Sequence, residues 1–191
     1  HNTLTFNNNG QNWGACDQDP TKAGITEITL FNHTTEPTAL SPAFAIVDLT
    51  NAYAAQGATT VERGFAFNRD YQRLLVVDEF LFPNASNTTW TMHTAATIST
   101  SDGPTATLTI DDATLFAVIK EPQGAAFTWS DVHLLPPQNP IQGVRKLQVQ
   151  VPQQTEASRI VVELSLNAAT VTYTVNPLEK WATLGPFKAA N

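Results

Sequence analysis

The chain has 191 residues, of which 14% are charged, and its formal net charge is −7. This acidity, without any cluster of Lys and Arg, argues against binding to nucleic acid or to an anionic membrane surface. No apolar run reaches the ~18 residues that a membrane-spanning helix needs. The length is sufficient for one sizeable domain. We therefore expect a single domain that has neither nucleic acid nor a membrane as its partner.

Three Asn-x-Ser/Thr sequons, at Asn32, Asn84 and Asn87, predict a glycosylated and secreted protein. The chain does not open with a charged segment followed by an apolar one, so we expect either that a secretory signal has been removed or that the chain is a piece of a longer product. The single cysteine, Cys16, has no partner for an internal disulfide. We interpret it as a small buried apolar residue.

Thr, Val, Ile and aromatic residues alternate with polar ones along the whole chain, and Gly, Pro, Asn and Asp interrupt the pattern at short intervals. Such alternation is typical of β-strands that have one buried face. Only one helical turn is predicted, around residues 51–55. The predicted strands are residues 1–6, 24–32, 43–49, 59–68, 72–82, 89–94, 95–99, 105–110, 115–121, 145–151, 158–166 and 170–175.

Two of these strands, 43–49 and 72–82, are apolar on both faces, which indicates a sheet that is covered on both sides. We therefore predict an all-β fold, an antiparallel multi-sheet β-sandwich, formed as a single unit by residues 1–191. An internal division is expected near 135–142. Three prolines in that segment cannot donate hydrogen bonds to a ladder.

The four histidines, His1, His33, His93 and His133, show none of the close spacings of a metal-binding motif. Sequence spacing therefore gives no direct metal signal. His33 lies inside a sequon and is expected to be exposed, and His133 is expected in a loop. Strands can nevertheless bring distant histidines together.

Three other side chains are candidates for contact with a carbohydrate. Trp13 and Trp129 are predicted to lie in loops, where an exposed indole can stack on a sugar ring, whereas Trp90 is predicted to be core. Arg63 can bind a uronate carboxylate bidentately, and the alternative is a surface or cross-strand ion pair. Paired acids such as Asp111-Asp112 are most simply explained as a turn between strands.

Five short motifs follow one another over residues 1–93. They are His1-Asn2-Thr3-Leu4 with Gly10-Gln11, Asp48-Leu49-Thr50-Asn51-Ala52-Tyr53, Val61-Glu62-Arg63, Val76-Val77-Asp78-Glu79-Phe80 and Trp90-Thr91-Met92-His93. Their order resembles that of heparinase II/III-like polysaccharide lyases. Two positions depart from the family pattern: Glu79 stands where a basic residue is common, and Asn8-Asn9-Gly10 replaces Asp-Gly.

The resemblance implies a lyase that pairs a helical toroid with a β-sandwich and cleaves uronic-acid polysaccharides by β-elimination. In such enzymes the catalytic Tyr, His and Asn come mainly from the toroid, which would precede residue 1. The resemblance also implies that His1 is a zinc ligand, whose partner ligands lie earlier in the chain. We expect substrate contacts at Trp13, Arg63, His93 and Trp129, a toroid chain of the same precursor as partner, and no activity of the sandwich alone.

Two further interpretations remain open at this point. An N-terminal histidine can chelate copper through its α-amine and imidazole, as in lytic polysaccharide monooxygenases, and His93 or His133 would be the second histidine. The other interpretation is a non-catalytic carbohydrate-binding β-sandwich that uses its exposed tryptophans. The identity of the polysaccharide is not encoded in these residues, since the discriminating pocket would lie largely outside them.

Overall fold

The computed structural model of the chain describes residues 2–11, 27–32, 42–69, 71–84, 86–101, 103–133, 141–154, 157–168 and 172–189, with the backbone alone for 27–32, 153–154 and 189. Four residues singled out from the sequence, His1, Trp13, Cys16 and His33, lie outside these ranges, as does most of the proline-containing segment near 135–142.

Fourteen strands and three short helical segments make up the described part of the chain. The strands are β1 (Leu4–Phe6), β2 (Glu27–Asn32), β3 (Ala43–Asp48), β4 (Thr60–Asn68), β5 (Arg73–Leu81), β6 (Ser86–Thr94), β7 (Thr97–Thr100), β8 (Thr105–Ile110), β9 (Ala113–Glu121), β10 (Phe127–Asp131), β11 (Arg145–Gln154), β12 (Ser158–Ser165), β13 (Tyr173–Val175) and β14 (Phe187–Ala189). The helical segments are 3₁₀ turns at Thr50–Gln56 and Leu178–Lys180 and one α-helical turn, α1 (Trp181–Leu184).

The strands form three antiparallel sheets. The small sheet has the order β1-β6-β11-β10, and the large sheet has the order β2-β3-β4-β5-β12-β9-β8-β7. Strands β13 and β14 form a separate two-stranded ribbon. The prediction of an all-β, antiparallel multi-sheet β-sandwich is thereby confirmed.

The main hydrophobic core lies between the small sheet and one face of the large sheet. Leu4, Phe6 and Trp90 of the small sheet pack there against Phe80 and Ile160 of the large sheet. Phe6 forms a close aromatic cluster, with ring centroids 4.0 Å from Phe82 and 5.5 Å from Phe80. Burial of this many apolar side chains is the main favourable term in the stability of the sandwich.

A second core covers the opposite face of the large sheet. Phe44, Leu75 and Val77 of that sheet pack against Leu178 and Trp181 of the C-terminal segment. The large sheet is therefore the middle layer that the two apolar strands, 43–49 and 72–82, predict.

Polar contacts also attach the C-terminal segment, residues 172–189, to the large sheet. Arg159 bonds both carboxylate oxygens of Glu121 and donates to the Val175 carbonyl. Glu79 accepts from the Leu178 backbone N–H at 3.1 Å. The acidic residue that departs from the resembled pattern at position 79 therefore binds a segment that lies beyond the five motifs.

The structure differs from the sequence-based prediction in two places. Trp129 lies in edge strand β10 and not in a loop; the strand has only five residues, and it pairs with β11 from Phe127↔Val149 to Asp131↔Arg145. The C-terminal helical turns and β14 were not predicted. These elements are too short to show a hydrophobic period, so tertiary packing of Trp181 determines their conformation.

Substitution of Gly64 tests how closely the C-terminal segment packs against the large sheet. A Cβ there would overlap Leu178 Cδ2 and lie 2.7 Å from Trp181 Cη2. We expect Gly64→Ala to lower the free energy of unfolding by about 1–3 kcal/mol, because the indole must move away from the sheet. Denaturant unfolding measures this change.

The matched control is Gly103→Ala, since a Cβ at Gly103 would meet no atom closer than 3.8 Å. Its free energy of unfolding is expected to stay close to that of the parent. Equal stability of the two variants would contradict the close packing of Trp181 on Gly64.

Candidate functional site

Strand β1 begins the described chain and continues into a tight turn. Phe6 and Asn9 exchange backbone hydrogen bonds of 2.8 and 2.9 Å, which closes a two-residue loop. Asn7 and Asn8, the two loop residues, have φ values of 50° and 66°. Asn tolerates this left-handed conformation, which two-residue hairpin loops require at both central positions. The Asn-rich sequence thus replaces Asp-Gly without loss of the turn.

The 3₁₀ turn at Thr50–Gln56 holds β1 from one side. Asp48 accepts from the Thr50 backbone N–H at 2.8 Å and so fixes the start of this turn. Tyr53, fully buried, donates its hydroxyl to the Leu4 carbonyl at 2.9 Å and also contacts the Thr3 hydroxyl. Burial raises the pKa of Tyr53, so the phenol stays protonated and able to donate.

A buried ion pair in the large sheet binds the residues just before β1. Arg63 on β4 and Asp78 on β5 are direct cross-strand neighbours, and they form two hydrogen bonds of 2.6 and 2.9 Å. The remaining terminal nitrogen of Arg63, Nη1, donates to the Asn2 carbonyl at 2.8 Å. Burial opposes the charge of Arg63, but the carboxylate of Asp78 more than offsets this and raises the Arg63 pKa.

His93, at the end of β6, also binds Asn2. Its backbone N–H donates to Asn2 Oδ1 at 2.6 Å. The ring nitrogen Nδ1 is buried and has no hydrogen-bond partner among the described atoms. Burial lowers the pKa of His93, and the charge of Lys146, its cross-strand neighbour on β11, lowers it further. The imidazole is therefore neutral near pH 7, with one nitrogen free to accept a donor or a ligand.

The four downstream motifs therefore meet at the first one. Tyr53, Arg63 with Asp78, and His93 each contact a residue between Asn2 and Leu4, and Trp90 pairs with Leu4 across the strands. Residues that are up to ninety positions apart thus hold one short strand. We call this group, Asn2 to Leu4 with Tyr53, Arg63, Asp78 and His93, the β1 clamp.

Of the four substrate-binding candidates, two lie in the β1 clamp, one lies elsewhere, and Trp13 lies outside the described residues. The structure gives Arg63 a buried cross-strand partner, and His93 is half-buried on the outer face of the small sheet. Trp129 is exposed at the opposite edge of that sheet, with the Arg145 guanidinium 5.9 Å from its ring centroid. Trp129 pairs with core-facing Leu147, so it is not brought together with His93.

The remaining predicted sites are the three glycosylation sequons. Asn84 and Asn87 have exposed side chains, whereas Asn32 ends β2 in the part for which only the backbone is described. Lys146, which no sequence motif indicates, is the cation that the strand register places beside His93.

The described residues do not form a complete metal site. Within the ranges that the structure describes, no group of three or more His, Cys, Asp or Glu side chains is placed to hold an ion. Near β1, the described imidazole nitrogen that has no hydrogen-bond partner is Nδ1 of His93. In the same ranges, no helix is both long and apolar enough to cross a membrane.

Removal of one charge from the buried Arg63–Asp78 pair is expected to lower the stability of the protein strongly. Asp78→Ala leaves a buried guanidinium without its counter-ion, so we expect a loss of about 3–5 kcal/mol in the free energy of unfolding. Arg63→Met combined with Asp78→Leu is expected to recover most of this loss, because no charge then remains buried. Urea unfolding of the single and double variants measures both changes.

An exposed pair of the same residue types is the control. Arg145 and Asp131 are also cross-strand neighbours, at 3.6 Å, but Asp131 is largely exposed. Asp131→Ala is expected to cost less than about 1 kcal/mol. A double variant no more stable than Asp78→Ala would contradict the role given to the unpaired charge.

Comparisons with known proteins relate this chain to one family. The family described as Heparinase II/III-like, C-terminal, matches residues 1–171. No curated protein sequence matches the chain. A solved heparan sulfate lyase HepC from Pedobacter heparinus is similar in fold, with a TM-score of 0.65 and 10% identity over 92% of this chain and 26% of the lyase.

Other solved structures give the same result. A structure titled heparinase III has a TM-score of 0.62 at 9% identity and covers 92% of this chain. A heparinase III gene product has a TM-score of 0.61 at 12% identity over 86% of this chain. The chain spans only about a quarter of the length of these proteins, 25% and 23% respectively. With most of its length matched by the family profile, this chain belongs to the heparinase II/III-like, C-terminal, family.

Proposed function

We propose that this chain is the C-terminal β-sandwich part of a polysaccharide lyase that cleaves uronic-acid polysaccharide by β-elimination. The observation that carries the proposal is the β1 clamp, in which residues of three downstream motifs contact Asn2 to Leu4 and the fourth joins them through the Arg63–Asp78 pair. Family membership supports the same activity. The clamp fixes the point at which the polypeptide enters the sandwich from a domain upstream.

β-Elimination needs a group that neutralises the uronate carboxylate, a base that removes the proton on C5 and an acid that protonates the departing O4. We assign the first of these roles to described residues of this chain. Lys146 supplies a positive charge and His93 a neutral imidazole on the same face of the small sheet. We assign them to substrate binding beside the cleft, and we assign the base and the acid to the upstream helical toroid.

We further propose zinc as the metal of the assembled enzyme, with His1 as the one ligand from this chain. Two observations support this proposal. His1-Asn2-Thr3-Leu4 resembles the stretch that contains a zinc ligand in heparinase II/III-like lyases, and the clamp fixes the adjacent residue, Asn2. We also propose secretion, since the side chains of Asn84 and Asn87 are exposed and accessible to glycosylation.

The first experiment compares the isolated chain with the longer polypeptide that includes the upstream domain. Each is incubated with heparan, chondroitin, alginate and glucuronan, and the ultraviolet absorbance of the unsaturated uronate product is followed. We expect product from the longer polypeptide alone, because we assign the base and the acid to the upstream domain. Product formation by the isolated chain would overturn this division of roles.

The second experiment measures zinc in the longer polypeptide by elemental analysis. We expect His1→Ala to lower the zinc content, because one of the proposed ligands is lost. His133→Ala is the control, since His133 is exposed and lies outside the β1 clamp. An unchanged zinc content in the His1 variant would rule out the ligand role.

A further inference from the structure

One end of the large sheet exposes a set of large apolar side chains. Phe67 is 41% exposed and Leu166 is 55% exposed, and both lie beside a cavity of about 360 Å³. We call this region the Phe67 patch; it comprises the exposed side chains of Phe65, Phe67 and Leu166 and the adjoining cavity, which is also lined by half-buried Leu74 and Leu115 and by buried Leu164. Contiguous exposed apolar surface of this kind marks an interaction site more often than isolated apolar residues do.

The Phe67 patch is a continuation of the main core. Val61, Arg63, Phe65 and Phe67 follow one another at two-residue spacing on β4, so their side chains point to the same face of the large sheet. Val61 is fully buried beneath the small sheet, whereas Phe65 and Phe67 are exposed. The face that forms the core therefore extends beyond the small sheet that covers its other half.

The direction of β1 indicates what covers the part of this face that the small sheet leaves exposed. Phe6 lies over Phe80, and Asn2 lies over Arg63, which is one step further along the same face. Traced backwards from Phe6 to Asn2, the chain therefore runs towards Phe65 and Phe67. Those residues lie roughly 7 and 13 Å beyond Arg63, at about 3.3 Å per residue. The described part of the N-terminal segment, from Phe6 back to Asn2, therefore points towards the Phe67 patch.

The related solved structures are about four times as long as the part that this chain matches, which covers 23–26% of them. A large upstream body is therefore available to the patch. We propose that the Phe67 patch is the surface on which the upstream helical domain of the same polypeptide docks. This inference rests on the proposed function, because it takes its occupant from there.

The patch also specifies the chemistry of its occupant. Its centre is apolar and requires aliphatic or aromatic side chains, as on the apolar face of an amphipathic helix. Arg69 is exposed at the rim of the cavity, and no ionic partner for it is found within the described ranges. An acidic side chain of the docked helix would pair with it there, and such a rim charge contributes orientation more than affinity.

The test uses the longer polypeptide and the isolated chain, both treated with hydroxyl radicals and analysed by mass spectrometry. We expect labelling of Phe67 and Leu166 to be at least about tenfold lower in the longer polypeptide, because the docked domain excludes solvent from them. Ile110 and Leu184, which are 49% and 64% exposed on other elements, serve as internal controls. Their labelling is expected to be the same in both samples.

A pair of variants then tests the strength of docking. The longer polypeptide is nicked by a protease between its domains, and the two fragments are examined by gel filtration. Phe67→Ser with Leu166→Ser is expected to weaken their association at least about tenfold, since central apolar contacts dominate interface energies. Ile110→Ser with Leu184→Ser is expected to leave the fragments together, and circular dichroism checks that each sandwich fragment remains folded.

The outcomes separate this proposal from the lyase activity. A longer polypeptide that cleaves polysaccharide while Phe67 is labelled as in the isolated chain overturns the docking proposal and leaves the activity standing. Protection of Phe67 in a polypeptide that is inactive on every uronate polysaccharide supports docking and overturns the activity. Self-association of the isolated chain that the Phe67 and Leu166 substitutions abolish, with no protection in the longer polypeptide, would assign the patch to a second copy and overturn the proposal.

Discussion

The buried ion pair between Arg63 and Asp78 is the constraint on which the N-terminal half of this sandwich depends. A guanidinium removed from water needs a counter-charge and partners for its remaining donors. Asp78 supplies the first, and the Asn2 carbonyl supplies a further partner. Because the fork geometry of arginine is rigid, the pair also determines where Asn2 lies on the sheet. A three-residue edge strand such as β1 would otherwise be weakly held, since it pairs only with β6 among the described strands.

The same arrangement explains why residues of catalytic appearance here have positioning roles. Tyr53 and Arg63 are the side chains that a search for acid, base or anion-binding groups would select, yet both are buried and bonded to the backbone of β1. His93 uses its backbone N–H for the same purpose, and its ring nitrogen Nδ1 has no hydrogen-bond partner among the described atoms. The sandwich thus fixes the position of β1 and leaves the imidazole of His93 beside Lys146 on the same face of the small sheet.

Alternation of polar and apolar residues predicted the strands well, because each strand has one face in a core and that period is visible in sequence. Strand Thr105–Ile110 has the predicted bounds, and the apolar run at 72–82 correctly indicated burial on both faces. Other features depend on register between distant strands, which no local pattern contains. The pairing of Arg63 with Asp78 was one of two alternatives, and the proximity of Lys146 to His93 had no signal at all. Trp129 was misplaced because β10 has only five residues and its exposed positions resemble a loop.

The C-terminal segment, residues 172–189, lies beyond the part of the chain that the family profile matches, yet Trp181 and Leu178 cover one whole core. During synthesis, therefore, every strand of the large sheet is complete before the side chains that shield its outer face have been made. Phe44, Leu75 and Val77 remain open to water, or to other nascent chains, until Trp181 arrives above Gly64. A chain truncated before residue 181 would therefore expose the apolar outer face of the large sheet to solvent.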